Sequence, residues 1–413
     1  MSVSVLLIGT FDTKADEYAF VREEIVGRGA RVVTMDVGVL GGQPPFPIDV
    51  AATDVAKAGG ASLSELQKRK DRGAAVDAMQ AGARLLVREM HAKHRFDGVL
   101  GLGGGGGTTM ITAAMRELPV GVPKLMVSTM ASGNTAPYVD VKDITMMYSV
   151  VDIAGLNPVS RRILTNAAAA ICGMVMPTAN SRPPSASSRP MIAATMFGVT
   201  TPCVTAARRK LEDAGYDVLV FHATGSGGRA MEGLIDDGYF AGVLDVTTTE
   251  WCDEVVGGVL SAGPDRLSAA ARKGIPQVVS VGALDMVNFG AMDTVPERFR
   301  NRKLYKHNAT VTLMRTTPAE CREIGRRIAE QINRANGPVV LMLPLKGVSM
   351  LDAEGQPFAD PDADRALFQS LRDHAGANVT VKEMDAHIND PQFAQALADE
   401  LLAQLSKSLS FRA

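Results

Sequence analysis

Five consecutive glycines, residues 103–107, are the part of this sequence whose composition most directly suggests ligand chemistry. The apolar residues Val99 and Leu100 precede them, and two threonines and a segment of helical composition follow. A strand that turns through glycines into a helix can bind phosphate. Residues without a Cβ let backbone N–H groups approach an anion, and the helix dipole adds partial positive charge. We therefore expect a phosphate or carboxylate site here; the alternative is a flexible or tightly packed turn without a ligand.

The glycine run matches neither standard nucleotide motif. Gly101, Gly103 and Gly106 satisfy G-x-G-x-x-G. The dinucleotide fingerprint, however, also needs an acidic residue at the end of the next strand, and residues 124–133 contain none. No Lys-Ser/Thr pair follows the glycines, so the P-loop motif is absent as well. These departures disfavour a nicotinamide dehydrogenase and favour an anion site of another type.

Other polar residues follow predicted strands and could complete a nucleotide site. Lys14 could bind a phosphate and Asp12 could bind Mg²⁺ or a substrate hydroxyl, or this loop could be a helix cap with a solvated lysine. Asp36 could bind a ribose hydroxyl or could be a turn acid. Residues 132–134 could form a second anion site or an ordinary turn. The predicted cofactor-binding residues are Thr10, Asp12, Thr13, Lys14, Asp36, Gly103, Gly104, Gly105, Gly106, Gly107, Thr108, Ser128, Thr129, Ser132 and Gly133.

The elements that must position these residues follow a βαβ pattern. Residues 3–9 and 31–35 read as strands, and the helix between them places Tyr18, Val21 and Ile25 on one face. This order predicts a parallel sheet with a right-handed crossover. Residues 39–72 interrupt the pattern with a Pro/Gly loop and a short exposed helix, and a helix over about 74–94 leads to the glycine strand.

After a Pro/Ser-rich segment, residues 177–190, the same pattern recurs. Residues 191–196, 218–221 and 239–244 repeat the first three strands, and residues 275–280 repeat 122–127. We therefore predict an α/β protein of two Rossmann-like parallel-sheet domains, residues 1–180 and 181–413, related by internal duplication. The nucleotide site should lie at the carboxyl ends of the strands, which we expect to face an interdomain cleft.

The second half contains the titratable candidates for proton transfer. His222 ends its second strand, and Glu250, Asp285 and His307 follow later strands. These residue types serve as general acids and bases, although a lone histidine is more often structural. We take His222, Glu250, Asp285 and His307 as the catalytic candidates and predict no protein metal site.

Composition limits the partners and the location. A net charge of -2 with one Trp and six Tyr gives no basic or stacking surface, which argues against nucleic acid. The four cysteines have no C-x-x-C spacing, so we expect buried thiols. No apolar run could span a bilayer and no basic leader is present, so we expect a cytoplasmic protein without a membrane partner. We also expect a homo-oligomer.

Seven motifs in order resemble the ATP-binding domain family of the plant tobamovirus-resistance protein and its bacterial relatives. They are GTFDTK (9–14), GLGGGGGTT (101–109), STMASGN (128–134), ATGSGGRAME (223–232), VGALDMVNFG (281–290), HNATVTLMRTT (307–317) and HINDP (387–391). The resemblance covers essentially the whole chain. It implies two Rossmann-like subdomains with ATP near the N-terminal one; the plant protein's additional C-terminal barrel domain has no counterpart here.

Two functions are consistent with this reading. One is an ATP-dependent enzyme, with Mg²⁺ as an expected companion ion, that transfers a phosphoryl or adenylyl group to a small carboxylated metabolite. The other is a non-catalytic nucleotide-binding module that presents a surface to a protein partner.

Overall fold

The computed structural model describes residues 3–176 and 189–410, with side chains as far as residue 407. The chain divides into two compact units, Met1–Ser185 and Ala186–Ala413, here called unit 1 and unit 2. The predicted boundary near 180 and nearly all of the Pro/Ser-rich segment lie outside the described residues.

Unit 1 is a five-stranded parallel sheet with helices on both faces. The strand order is β2-β1-β3-β4-β5. Its elements are β1 (Ser4–Gly9), α1 (Ala15–Gly27), β2 (Arg31–Asp36), α2 (Ala52–Ala58), α3 (Leu63–Arg69), α4 (Arg72–Ala92), β3 (Gly98–Gly103), α5 (Gly105–Arg116), β4 (Lys124–Ser128), α6 (Ala136–Val139), β5 (Thr145–Tyr148) and α7 (Pro158–Val175).

The central strand β1 shows why this sheet is buried on both sides. Val5 and Leu7 pack with α1 and α7, whereas Leu6 and Ile8 pack with the layer that contains α4 and α5. All four side chains are inaccessible to solvent. A continuous apolar run is what a parallel strand covered on both faces requires, since successive side chains point to opposite faces.

Unit 2 repeats this plan and extends it. Its six-stranded parallel sheet has the order β7-β6-β8-β9-β13-β14, and a separate antiparallel sheet has the order β10-β12-β11. Its elements are β6 (Met191–Met196), α8 (Thr201–Asp213), β7 (Asp217–His222), α9 (Ser226–Asp236), β8 (Gly242–Thr247), α10 (Glu250–Val256), α11 (Ser268–Lys273), β9 (Gln277–Gly282), β10 (Met286–Phe289), β11 (Leu304–Lys306), β12 (Thr312–Arg315), α12 (Pro318–Ile332), β13 (Val339–Pro344), α13 (Pro361–His374), β14 (Val379–Met384) and α14 (Pro391–Ser410).

The two large sheets share one strand order. In each, the second strand of the unit forms an edge, the first lies beside it, and the third and fourth follow. This is the order of doubly wound folds, whose ligands bind beyond the carboxyl ends of the strands. The predicted fold class, two Rossmann-like parallel sheets built on one plan, is confirmed.

The segment 39–72 is more ordered than the predicted loop with one short helix. It contains α2 and α3, and Val50 forms a parallel bridge with Met35. The Asp49 carboxylate accepts a hydrogen bond from the Thr34 N–H at 2.9 Å. These contacts attach the insertion to the carboxyl end of β2, where it forms one wall of the site.

Candidate functional site

A cavity of about 830 Å³ opens at the carboxyl ends of β1, β2 and β3 in unit 1. Its walls are the loop after β1, the loop after β2, the glycine turn (residues 103–107) and the corner between α3 and α4. The lining residues are Thr10, Asp12, Thr13, Lys14, Val37, Val39, Leu40, Leu66, Gln67, Lys70, Asp71, Arg72, Ala75, Val76, Gly104, Gly105, Gly106, Gly107 and Met110. Its volume lies within the usual range for small-molecule sites.

The glycine turn divides into one residue that packing requires and four that it does not. A Cβ on Gly103 would lie 3.0 Å from the Gly107 Cα, so the turn closes tightly there. At Gly104, Gly105 and Gly106, a Cβ would meet nothing nearer than 3.5 Å. At Gly107 the nearest atom would be 3.7 Å away. Packing within the described residues therefore does not explain this run of glycines.

The first turn of α5 leaves backbone N–H groups uncapped. The helix begins at Gly105, and Gly104 before it provides no side-chain hydrogen bond. The first N–H groups of a helix have no partner inside the helix. Here they lie in residues that line the cavity, without side chains that would cover them. This is a suitable arrangement for a bound anion.

The polar residues at the ends of β3 and β4 hold the turn in place. Thr108 and Ser128 are fully buried, and their hydroxyl oxygens lie 2.6 Å apart. The Ser128 hydroxyl also accepts a hydrogen bond from the Met130 N–H at 2.9 Å. Thr129, Ser132 and Gly133 do not line the cavity, and the last two are exposed. The predicted second anion site is therefore separate from this cavity.

The loop after β1 supplies hydroxyls and charges. Thr10 and Thr13 hydroxyls are hydrogen-bonded to each other at 3.0 Å. The Lys14 ammonium donates to the Ile153 carbonyl oxygen. Asp12 Oδ2 accepts from the Leu40 N–H at 2.7 Å, whereas the buried Asp12 Oδ1 has no hydrogen-bond partner within the described residues. A buried oxygen of this kind calls for a donor, an ordered water molecule or a cation.

Asp36 lies just behind this loop and does not line the cavity. Its Oδ1 accepts hydrogen bonds from the Phe11 N–H at 3.1 Å and the Gly38 N–H at 2.8 Å. Burial raises the pKa of Asp36 above its ordinary value, although these two N–H groups oppose the shift. Asp36 thus joins the loops after β1 and β2, and its contacts do not favour the predicted role at a ribose hydroxyl.

Tyr18 is a positioning residue that the sequence placed only on an apolar helix face. Its hydroxyl accepts from the Leu102 N–H at 2.7 Å and lies 2.7 Å from the Ile8 carbonyl oxygen. A Cβ on Gly9 would lie 2.0 Å from this ring, so Gly9 must be glycine. Burial raises the pKa of the Tyr18 hydroxyl. The contact fixes the ends of β1 and β3, which carry two walls of the cavity.

Sequence reasoning missed the wall formed by α3 and α4. Leu66, Gln67, Lys70 and Arg72 line the cavity, and the Gln67 amide donates to the Val39 carbonyl oxygen at 2.8 Å. The available signal was that four of the five residues 68–72 are basic. This segment is also part of an insertion that directly follows a strand end.

In unit 2, Glu250 closes a second glycine-rich loop, residues 224–228, which leads into α9. Its Oε1 accepts from the Gly225 N–H at 2.7 Å and the Gly228 N–H at 3.1 Å. Its Oε2 accepts from Arg266 Nε at 2.7 Å. Because both oxygens are used inside a buried network, the structure gives Glu250 a positioning role in place of the predicted proton transfer.

The remaining candidates are separated from one another. His222 is exposed and its ring lies 5.3 Å from that of Phe197, and His307 is exposed in the turn between β11 and β12. Asp285 is fully buried, and its Oδ2 accepts from the Ser349 hydroxyl at 2.7 Å. No hydrogen bond within residues 189–410 joins any two of His222, Glu250, Asp285 and His307, so they form no common acid–base group there.

Asp285 belongs to a buried charge cluster around Arg315. Arg315 pairs with Asp352 at 3.2 Å and Asp364 at 2.6 Å. Burial raises the pKa of Asp285 to about 6 and that of Asp352 to about 9, and Arg315 opposes both shifts. Three carboxyl groups that share one guanidinium must keep at least one proton near neutral pH. The ion pairs of the cluster link β12, α13 and the loop between β13 and α13 within unit 2.

No helix in residues 3–176 or 189–410 is long and apolar enough to cross a membrane. Nor do these ranges contain a group of three His, Cys, Asp or Glu side chains that could hold a metal ion.

Each of the two units matches one domain of a known protein family. Residues 3–180 match the N-terminal domain and residues 189–405 the C-terminal domain of the uncharacterised protein family UPF0261. The chain belongs to this family. A UPF0261 protein of Clostridium tetani is 52% identical over 408 residues, which cover 98% of this chain and 100% of that protein.

The UPF0261 relatives include a plant protein. The ToMV resistance protein Tm-1(GCR237) of Solanum lycopersicum is 41% identical over 433 residues, which cover 98% of this chain but 56% of that protein. The resemblance inferred from the seven motifs is therefore confirmed at the level of the family. Among solved structures, a family 9 glycosyl transferase from Veillonella parvula covers 98% of both chains at 10% identity with a TM-score of 0.24, too low for any argument about function.

Proposed function

We propose that unit 1 binds ATP in the cavity at the carboxyl ends of β1, β2 and β3. One observation carries the proposal: the uncapped first turn of α5, made of residues without side chains, lines a cavity of about 830 Å³. The exposed N–H groups and the helix dipole suit the phosphates. The resemblance to an ATP-binding domain family, with ATP near the N-terminal subdomain, supports the same assignment.

The other walls fit the remaining parts of a nucleotide. Val39, Leu66, Val76 and Met110 provide apolar surface that suits a base. The orphaned Asp12 Oδ1 lacks a donor or cation, which a ribose hydroxyl or a Mg²⁺ ion accompanying the phosphates could provide. Lys14 adds a positive charge at the same edge.

The second glycine loop gives an internal comparison. In unit 2, N–H groups at the start of α9 already bind a carboxylate, that of Glu250. In unit 1, no side chain within residues 3–176 caps the start of α5. The same kind of backbone site is thus filled from within the chain in one unit and faces a cavity in the other, which favours an external anion in unit 1.

Substitution at the glycine turn tests the proposal. Gly106→Val has room within the fold but places methyl groups over the N–H groups, since helical Cβ atoms tilt toward the N-terminus. ATP at about 100 times its Kd should stabilise the natural chain by roughly 2.7 kcal/mol, and a thermal-shift assay should detect the loss of this effect in Gly106→Val. Gly133→Val, at the predicted second anion site, should keep it. A folded Gly106→Val chain with unchanged ATP affinity would refute the proposal.

We further propose binding without catalysis, which is the second of the two functions left open by the sequence. Both oxygens of Glu250 and one oxygen of Asp285 are engaged in internal hydrogen bonds, and His222 and His307 are exposed on separate elements. We expect the purified chain to bind ATP and not to hydrolyse it. ATP turnover that increases when one small carboxylated metabolite is added would show that the chain is an ATP-dependent enzyme and would contradict this proposal.

A further inference from the structure

Arg72 holds a fixed position at the corner between α3 and α4. Helix α3 ends at Arg69, and Lys70 takes a left-handed conformation with φ 51° that turns the chain. Asp71 then caps α4 by accepting a hydrogen bond from the Ala74 N–H at 3.1 Å. Arg72 is the first residue of α4, so the turn and the cap together determine where its side chain begins.

The Arg72 guanidinium lies over the first turn of α5. A Cβ on Gly106 would be 3.5 Å from Arg72 Nη2. Both residues line the cavity. An anion bound to the N–H groups of this turn would therefore lie within reach of the guanidinium, which can donate two parallel hydrogen bonds to a phosphate.

Arg72 has no competing internal partner. It is exposed and forms no ion pair within residues 3–176. Arg84, on the same helix, pairs with Glu117 at 2.6 Å. Two lysines also line the cavity: the ammonium of Lys14 already donates to the Ile153 carbonyl oxygen, whereas Lys70, like Arg72, forms no ion pair within residues 3–176. Arg72 is the cation of this lining whose position over Gly106 and forked guanidinium suit a phosphate on the turn.

We infer that Arg72 makes the site selective for phosphorylated nucleotides over nucleosides, an inference that rests on the proposed function. The uncharged part of the ligand contacts the apolar wall and gains nothing from Arg72. The phosphate gains a charge-assisted contact that the backbone N–H groups alone do not supply. Binding of the ligand should therefore depend on Arg72 only when it carries phosphate.

The test compares ATP with adenosine on four chains by calorimetry. Arg72→Met should weaken ATP binding about tenfold to a hundredfold, the usual effect of losing a hydrogen bond to a charged group, and leave adenosine affinity unchanged. Arg72→Lys keeps the charge but not the forked geometry, so its ATP affinity should lie between those of the natural chain and Arg72→Met. Arg88→Met, an exposed arginine on α4 outside the cavity, is the matched control and should bind both ligands as the natural chain does.

Other outcomes overturn the inference in distinguishable ways. If the natural chain binds ATP and Arg72→Met binds it equally well, the glycine turn binds phosphate alone and Arg72 has no part. If Arg72→Met loses adenosine and ATP equally, Arg72 maintains the shape of the cavity and does not select phosphate. If the natural chain binds neither ligand, the proposed function fails together with the inference.

Discussion

Asp253 illustrates how one buried carboxyl group can set the pH dependence of a unit. It is 1% exposed, and burial raises its pKa to about 7. Its Oδ1 accepts from the N–H groups of Leu260 and Asn288, and its Oδ2 accepts from the Asn288 side-chain amide at 2.7 Å. The Asn288 Oδ1 is buried without a hydrogen-bond partner among the described residues. Rotation of this amide by 180° would let its oxygen accept a hydrogen bond from the O–H of a neutral Asp253.

The first prediction follows from this raised pKa. The folded chain holds the Asp253 proton more tightly than the unfolded chain, in which the pKa of this carboxyl group has its ordinary value of 3.8. The resulting stability is fully present below about pH 4 and is lost as the pH rises toward 7, by at most about 1.4 kcal/mol per pH unit. In Asp253→Asn, the new side-chain amide can donate a hydrogen bond to Asn288, as a protonated Asp253 would, but it does not ionise. Its free energy of unfolding should therefore fall less steeply across this range.

Trp251, the only tryptophan of the chain, lies two residues away and reports this unfolding by fluorescence in urea. Measurements at pH 5, 6 and 7 on both chains give the two slopes. Parallel slopes would mean that Asp253 is already ionised throughout this range, contrary to the prediction.

The residues of the candidate site were predictable to different degrees. Composition was sufficient for the glycine turn and for Asp12 and Lys14, because each directly follows a strand. It could not separate Thr108, which is buried against Ser128, from a hydroxyl that faces a ligand. Arg72 was missed because its position over Gly106 depends on the left-handed turn at Lys70, which has no reliable sequence signal.

At the scale of elements, the loop before α9 depends on Glu250. A Cβ on Gly228 would lie 2.2 Å from a carboxylate oxygen of Glu250, and Gly225 has φ 80°. Arg266, itself 1% exposed, bonds both oxygens of Asp245 at 2.6 Å as well as Glu250. Helices α9 and α10 and the end of β8 are therefore fixed by one charged network.

The second prediction removes one member of this network. Glu250→Ala leaves two N–H groups and part of a buried guanidinium without partners and should destabilise unit 2 by about 3–5 kcal/mol in urea, measured by Trp251 fluorescence. Glu212→Gln, which breaks the exposed pair with Arg208, should cost less than about 1 kcal/mol. ATP affinity should be unchanged in Glu250→Ala. Equal stabilities of the two variants would contradict the network's importance.

The elements predicted from periodicity were mostly those with continuous apolar runs or clear amphipathic faces. Strand β5 was missed because it is a short edge strand with little burial. Helix α7 was also missed, although Asn157, Pro158 and Ser160 give a cap, a first-turn proline and a capping box. Its run of alanines carries little contrast between apolar and polar faces, so the start signal should have decided the assignment.

For the whole molecule, the repeated strand order and the unequal glycine loops have to be considered together. Duplication explains why both large sheets begin with the same four strands in the same order. The sequence allowed this to be predicted because equivalent strands have similar composition. It did not allow prediction that Glu250 binds the loop before α9, since Glu250 and Gly225 are 25 residues apart and meet only through the fold.

The third prediction is that one chain binds one nucleotide. The glycine turn of unit 1 is open to its cavity, whereas the loop before α9 is closed by a carboxylate that Arg266 holds at 2.7 Å. An incoming phosphate would have to displace a buried charge and leave it unpaired, which costs several kcal/mol. Calorimetric titration with ATP should therefore give a stoichiometry of one, and Gly106→Val should abolish all of the binding. A stoichiometry of two, or a site that persists in Gly106→Val, would place a second nucleotide outside the unit 1 cavity and contradict the division between the open and the closed glycine loops.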